Sequence, residues 1–278
     1  MGRTPLSVGR GFGRYPFGVT QEKLRLGGMA LANGVLVHGP TAWAAAIRRP
    51  DGKLKVAGAK KRFRTTELDH PFLRGPARLL EAIAVLPQMR RALPQARLPF
   101  ERPAVIVAML ATATAVRLVR ESTRLRPIPR ELLTSGLALV PAAVALRGSA
   151  LAAYHGAEHV VIGSYEHGEE RSREHERCGS HLLGPMLVTT AAGRVLTARL
   201  AGPLAGAARA AVALAALAAA TELFAWMLGH PDDPLSQALA KPGHELQHRI
   251  ATAEPTREQL EVAEAALVEC LRLEGASA

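Results

Sequence analysis

YHGAEHVVIGSYEHGEERSREHERCGSH, residues 154–181, lies between two apolar, alanine-rich segments. It holds half of the histidines in the chain, at positions 155, 159, 167, 175 and 181, and one of the two cysteines, Cys178. Ionisable side chains are costly beside apolar surroundings unless each has a partner. This concentration of ligand-type side chains therefore predicts a functional site within an otherwise hydrophobic part of the chain.

The stretch begins with His155-Gly-Ala-Glu158-His159, an H-x-x-E-H arrangement. On a helix, residues i and i+4 share a face, so both imidazoles can bind one metal ion. This is the inverted form of the zincin motif, in which the glutamate is the general base. We therefore predict that His155 and His159 are metal ligands and that Glu158 is catalytic.

A second pair, His175 and Cys178, would complete a tetrahedral set for zinc, with iron as the alternative. Their spacing corresponds to one helical turn, which Gly179 could end. Four protein ligands make a closed structural site, whereas a catalytic site keeps one position open. In the catalytic version, one of the two therefore withdraws from the metal.

Three further residues belong to the predicted site. Continuing the helix from His155 places Glu166 along the same face, as another ligand or an orienting group. Tyr154 and Tyr165 lie near the adjacent face. The charged residues that follow are predicted to form a solvated, salt-paired helix face, namely Glu169, Glu170, Arg171, Arg173, Glu174 and Arg177. His167 and His181 are expected to be peripheral.

The composition narrows the class of protein. The net charge is +11, aromatic residues make up 4%, and two cysteines cannot make a disulfide framework. Nucleic-acid binders usually add stacking aromatics or a recognisable module, and the sequence shows neither. We therefore expect the basic surface to meet membrane lipid and expect no nucleic-acid partner. Residues 1–26 are expected to be a flexible basic arm.

Short β segments and one helix are predicted before residue 103. Gly27–Pro40 is interpreted as a single strand with its turns. Trp43–Phe63 is interpreted as a hairpin, because Pro50-Asp51-Gly52 is a turn sequence. Pro71–Met89 has the spacing of an amphipathic, interfacial helix, and Pro87, Pro94 and Pro99 are expected to form a broken connector after it.

Beyond residue 103 the apolar runs are short, and arginine or proline interrupts most of them. They are Ala104–Val116, Leu132–Leu146, Leu182–Gly193, Leu200–Ala220 and Ala210–Leu228. A spanning helix needs ~20 predominantly apolar residues, which only the last run approaches. The others fit buried helices, re-entrant segments or spans with snorkelling arginines. Since basic residues flank Ala104–Val116 on both sides, it is not expected to cross alone.

At the C-terminal end, Asp232–Pro242 is predicted to be a polar linker. Thr256 is a predicted N-cap of an amphipathic helix that places Cys270 in the core. The whole pattern predicts a mainly α fold, a membrane-associated helical bundle with a small N-terminal β-hairpin region. Its regions are residues 1–102, residues 103–230 with the site, and residues 231–278.

Several segments together resemble the DUF1385 family, the YqhQ-like bacterial membrane proteins. They are YHGAEH with the downstream HERCG, GGMALANGVLVHGP, AAAIRRPDGKL and PGHELQHRIATAEPTREQLEVA. The resemblance implies a multi-pass membrane protein and a metal-dependent enzyme, without implying a substrate. The chain departs from the family pattern at Asn33, His38, Val160, Gly163 and Glu176. It keeps His155, Glu158, His159, Glu166, His175 and Cys178.

The resulting hypothesis is a membrane-associated metalloprotein that acts as a metal-dependent hydrolase. The alternative is a non-enzymatic membrane scaffold in which the same cluster is a structural metal site. A redox or haem protein with histidine axial ligands is a third class. We expect the protein in the cell membrane, with its basic N-terminal region on the cytoplasmic side.

Overall fold

The computed structural model describes residues 23–65, 68–122, 124–197 and 205–276. Helices dominate this part of the chain, and a small antiparallel sheet lies near the N-terminal end. The predicted mainly α fold with a small N-terminal β region is therefore confirmed. Most of the predicted basic arm, residues 1–26, lies outside the described residues.

The sheet has four strands in chain order: β1 (Gly27–Leu31), β2 (Gly34–His38), β3 (Ala42–Arg48) and β4 (Leu54–Lys60). The hairpin predicted around Pro50 is confirmed as β3 and β4. The segment predicted as one strand is instead a second hairpin, because Leu31 pairs with Gly34 across a two-residue turn. The Asn33 side chain holds this turn by bonding Arg48, Gln95 and Arg97. These partners are distant in sequence, so the residues next to Asn33 could not indicate that a turn forms there.

Helices cover the sheet on both sides. On one side, α1 (Arg74–Ala92) packs Val85 and Met89 against Trp43 and its neighbours. On the other side, α5 (Ala150–His167) and α9 (Arg257–Glu274) share a larger apolar core with the sheet. Two covered faces explain why the central strands are almost continuously apolar rather than alternating.

Helix α1 continues past Pro87 to Ala92, although a connector was predicted to begin at this proline. Proline removes one backbone N–H and so costs the helix one hydrogen bond. Pro87 lies on the exposed side, where water can bond the carbonyl oxygen that loses its partner. The expectation of a break there was therefore wrong.

Two helices in the described part of the chain are long and apolar enough to cross a membrane: α2 (Pro103–Glu121) and α7 (Ala205–Gly229). For α2 this corrects the expectation that Ala104–Val116 is too short. The helix continues past Arg117, which forms an i,i+4 ion pair with Glu121 at 2.9 Å. The first residues of the run Leu200–Ala220 lie outside the described residues.

The remaining hydrophobic helices are shorter or bent. They are α3 (Pro127–Ala138), α4 (Val140–Leu146) and α6 (Leu183–Thr197). The segment Leu133–Leu146 is apolar enough to span only together with α5, and the two are bent by 89°. Because α5 packs on β1 and α9, it lies within the protein.

The predicted linker Asp232–Pro242 is wrong, because α8 (Pro234–Leu246) occupies it. The Asp233 carboxylate caps this helix by accepting the Leu235 N–H at 2.8 Å. A π-helical turn, Gln247–Ala251, continues α8.

Helix α9 confirms the predicted C-terminal helix, with a capping box between Thr256 and Gln259. Cys270 is fully buried in the core, as predicted, and burial raises the pKa of its thiol to about 12. Since α9 packs on the sheet, the C-terminal region completes the N-terminal one. The division at residues 102 and 230 stays a prediction.

Candidate metal centre

The H-x-x-E-H motif lies on α5, as its spacing predicts, and His155 and His159 are neighbours with ring centroids 4.4 Å apart. Each Nδ1 lies against a backbone carbonyl oxygen, that of Ala251 at 2.9 Å and that of Arg173 at 2.8 Å. A carbonyl only accepts, so each Nδ1 carries the proton and donates. Both Nε2 atoms are therefore left as potential metal ligands, in the tautomer that such carbonyl bonds fix.

Cys178 completes a group of three donors. Its Sγ lies 3.5 Å from the Nε2 of His155, and the ligand atoms of His155, His159 and Cys178 all lie within 4.8 Å of one another. Tetrahedral zinc with its usual bond lengths holds nitrogen and sulfur roughly 3.5 Å apart. The donor types and their spacing therefore fit a zinc- or iron-type ion, and the group could hold one.

His175 is not brought into this group. Its Nδ1 accepts the Arg177 N–H at 3.1 Å, and its buried Nε2 faces the Glu166 carboxylate at 3.4 Å. Its ring centroid lies 5.6 Å from that of His159, so it adjoins the group from outside. Three protein donors are thus gathered where the sequence offered four.

The prediction of a helical turn from His175 to Cys178 is wrong. Helix α5 ends at Gly168, whose φ of 74° an L-residue rarely adopts, and residues 169–178 form a loop. The N–H of Cys178 bonds the carbonyl of His175 at 3.2 Å, which closes a turn. Cys178 then precedes a short 3-10 turn, Gly179–Leu182.

The charged residues of this loop form ion pairs, as predicted, but they do not lie on a helix, and two of them bond distant segments. The Arg173 guanidinium donates to the carbonyl of Thr252 at 2.6 Å and to Glu254 at 3.0 Å. Arg177 donates to Glu166 and to the carbonyl of Leu26. The loop is therefore clamped to segments far away in sequence, and these clamps position Cys178 beside α5.

Gln247 is the main residue that the sequence did not single out. It is fully buried at the start of the π-helical turn. Its Oε1 accepts the His175 N–H at 2.9 Å, and its Nε2 donates to the His175 carbonyl and to Ser180. His181, expected to be peripheral, is buried with its Nδ1 3.2 Å from Gln247. One glutamine has no spacing signal, so only the similarity of its segment to the family pointed to it.

Glu158 is buried against β1. A Cβ atom at Gly28 would lie 2.2 Å from its Oε1, so the backbone can approach only because residue 28 is a glycine. Among the described residues no hydrogen bond reaches the Glu158 carboxylate. Burial raises the pKa of Glu158, and the nearby His155 and His175 oppose that rise.

The other predicted residues have separate surroundings. Glu166 accepts the Leu26 N–H at 3.3 Å. Burial acts to raise the pKa of Glu166, yet its contacts with His175, Arg177 and Leu26 together hold it below its usual value. Tyr154 and Tyr165 lie in the apolar core between α5, the sheet and α9.

In the part of the chain that the structure describes, the protein is mostly helical, with two helices long and apolar enough to cross a membrane and a His/His/Cys group that could hold a metal ion. The family model described as "Protein of unknown function (DUF1385)" matches residues 149–273, so this part of the chain is similar to that family. The matched range holds the three donors, Glu158 and Gln247. No curated protein and no solved structure matches the chain.

Proposed function

We propose that this protein is a membrane-associated, metal-dependent hydrolase. The observation that carries the proposal is that three donors lie together among the described residues, with His175 held outside the group. Three protein ligands leave a position open, as catalytic sites do, whereas structural zinc sites are closed by four. A bound zinc or iron ion would supply Lewis-acid chemistry at a carbonyl or phosphoryl group and would activate water.

The side chains of α5 would divide the remaining work. His155 and His159 keep a fixed orientation because their Nδ1–H groups are bonded to backbone carbonyls. Glu158 follows His155 by three residues and directly precedes His159. Its carboxylate has no hydrogen bond among the described residues, so either oxygen can accept the proton of the attacking water and pass it to the leaving group.

The loop of residues 169–178 would keep the fourth coordination position of the metal free of a protein ligand. Gln247 bonds both backbone polar groups of His175, at 2.9 and 3.2 Å, and so limits its movement toward the donors. The ring of His175 is further placed by Arg177 and Glu166. A structural metal site would need a fourth protein donor, and this bonding opposes its arrival.

The experiment that tests catalysis is Glu158→Gln. The wild type in detergent micelles is assayed on fluorogenic carboxylic ester, amide and phosphate ester substrates, and its metal content is measured alongside. Glu158→Gln should keep the metal and lose roughly 100-fold or more of the hydrolysis, because removing a general base costs 10²- to 10⁴-fold.

Glu170→Gln is the matched control, since Glu170 is an exposed loop residue that should leave the rate unchanged. If Glu158→Gln retains both metal and full activity, Glu158 is not the base. If neither wild type nor variant hydrolyses any substrate while both hold metal, the cluster is a structural clip in a membrane scaffold.

A further inference from the structure

Helix α1 has two apolar faces, and only one of them is covered. Val85 and Met89 face the sheet and are buried. Leu80 and Ile83 lie on the opposite face, with 61% and 58% of their surface exposed. Three more exposed apolar residues extend this face, and the set is named the α1 strip: Phe72, Leu73, Leu79, Leu80 and Ile83.

The first residues of the α1 strip are hydrogen-bonded to α7. The Arg74 guanidinium donates to both oxygens of Glu222, at 3.0 and 2.7 Å, and the Phe72 N–H donates to the same carboxylate at 3.2 Å. A Cβ atom at Gly75 would lie 2.1 Å from the Oγ1 of Thr221, so the two helices touch closely. The strip therefore starts on the flank of a helix that is able to span a membrane.

The contact lies close to one end of α7, where a helix that crosses a membrane would reach the membrane surface. Glu222 lies seven residues before Gly229, the last residue of α7, which is roughly 10 Å along the helix. Phe72 has a φ of 66°, which is unusual for a bulky side chain. The bond from its N–H to Glu222 helps to hold this conformation, in which the exposed aromatic ring precedes the strip.

Basic side chains surround the strip. Arg62 and Arg64 lie in the connection from β4, and Arg78 and Arg91 lie on α1, all of them exposed. An apolar helix face bordered by arginines is the pattern of helices that lie in the interface of an anionic bilayer. Each such cation is worth about a fivefold gain in affinity near an anionic surface.

We infer that the α1 strip is an interfacial anchor, which inserts into the headgroup region of an anionic bilayer beside α7. The inference requires no catalysis and is independent of the metal centre. The strip is continuous with α7, which identifies lipid as its occupant. A second copy of this chain would instead bring the same arginines together, and like charges repel.

The test places tryptophan on the strip. Leu80→Trp and the wild type are assembled in nanodiscs of phosphatidylcholine and phosphatidylglycerol, with or without bromine on the acyl chains. The signal of the native Trp43 and Trp226 is subtracted by means of the wild type. Bromine should quench the added tryptophan strongly. The matched control is Val268→Trp, an exposed site on α9 across the sheet, which should stay unquenched.

Two results would overturn the inference. One is Leu80→Trp fluorescence quenched no more than that of Val268→Trp. The other is a photo-crosslinking group at Ile83 that yields protein adducts instead of lipid adducts, which would assign the strip to a protein partner.

The preference of the strip for anionic lipid is tested with pure phosphatidylcholine nanodiscs and with Arg78→Gln plus Arg91→Gln. Both should reduce the quenching, and unchanged quenching would contradict the role of the charges.

Discussion

Two adjacent glycines in β1 make room for two polar side chains on opposite sides of the sheet, the buried Glu158 and the half-buried His38. A Cβ at Gly28 would collide with Glu158, and a Cβ at Gly27 would lie 2.6 Å from the Nε2 of His38. Successive residues of a strand point to opposite faces, so each glycine makes room on its own side. At either position of the glycine pair, a larger residue would therefore clash with one of these two side chains.

His38 belongs to a buried ionic group between the sheet and α1. The Lys61 ammonium donates to Glu81 at 2.5 Å and to the Nδ1 of His38 at 3.2 Å. The other Glu81 oxygen accepts the N–H and hydroxyl of Thr65 at 2.5 and 2.6 Å. Buried charges persist only when they are paired and hydrogen-bonded in this way. Because Nδ1 accepts from Lys61, protonating His38 would break this group.

The pH dependence of folding should report on His38. Burial and the nearby Lys61 lower its pKa from 6.5 to about 4. At pH values between about 4 and 6.5, His38 is therefore protonated in the unfolded chain but not in the folded protein. The free energy of unfolding consequently decreases as the pH falls from 6.5 toward 4. The shift corresponds to about 3 kcal/mol. The thermal midpoint in detergent, followed from pH 7.5 to 4.5, should fall less steeply for His38→Gln.

Other buried histidines titrate in the same direction, including His181, so the difference between wild type and variant is the informative quantity. His70→Gln provides a control, because His70 is exposed. Parallel pH profiles for the wild type and His38→Gln would show that His38 does not exclude the proton.

The sequence correctly predicted the helices and strands whose sequence patterns lie within a few neighbouring residues. The capping box at Thr256 and the turn at Pro50 act within a few residues, so α9 and the β3–β4 hairpin were predicted correctly. The H-x-x-E-H spacing likewise predicted that His155 and His159 share a face of α5.

The elements that were missed depend on distant partners or on compensation by neighbours. Asn33 holds its turn through residues of other segments. Helix α2 continues past Arg117 because arginine is a good helix former, and Arg117 also pairs with Glu121 one turn later. The loop with Cys178 is shaped by Arg173 and Gln247, whose partners come from elsewhere in the chain. The donors were therefore predictable as residue types, whereas the exclusion of His175 was not.

At the scale of the whole molecule, the metal centre and the α1 strip lie toward one end of α7. The 3-10 turn Gly179–Leu182, which directly follows Cys178, contacts α7. The C-terminal part of α7 also holds Arg74 through Glu222. A bilayer crossed by α7 would therefore have the centre near its surface.

The basic surface of α1 predicts which side of the membrane this end occupies. Cytoplasmic segments next to spanning helices carry an excess of lysine and arginine. A cysteine at Arg62, in a Cys178→Ser background, should react with a membrane-impermeant maleimide in inside-out vesicles and not in intact bacterial cells. The unsubstituted background is the control, because Cys270 is fully buried. Labelling in intact cells would place this surface outside.

Metal analysis of the purified protein tests the three-donor metal centre. We expect one zinc or iron ion per chain, with two nitrogen ligands and one sulfur ligand in its X-ray absorption spectrum. His155→Ala plus His159→Ala should lose the ion, while His167→Ala, which changes a histidine at the end of the same helix, should keep it. Stoichiometric metal in the double variant, or a spectrum without sulfur, would show that His155, His159 and Cys178 do not hold the ion together.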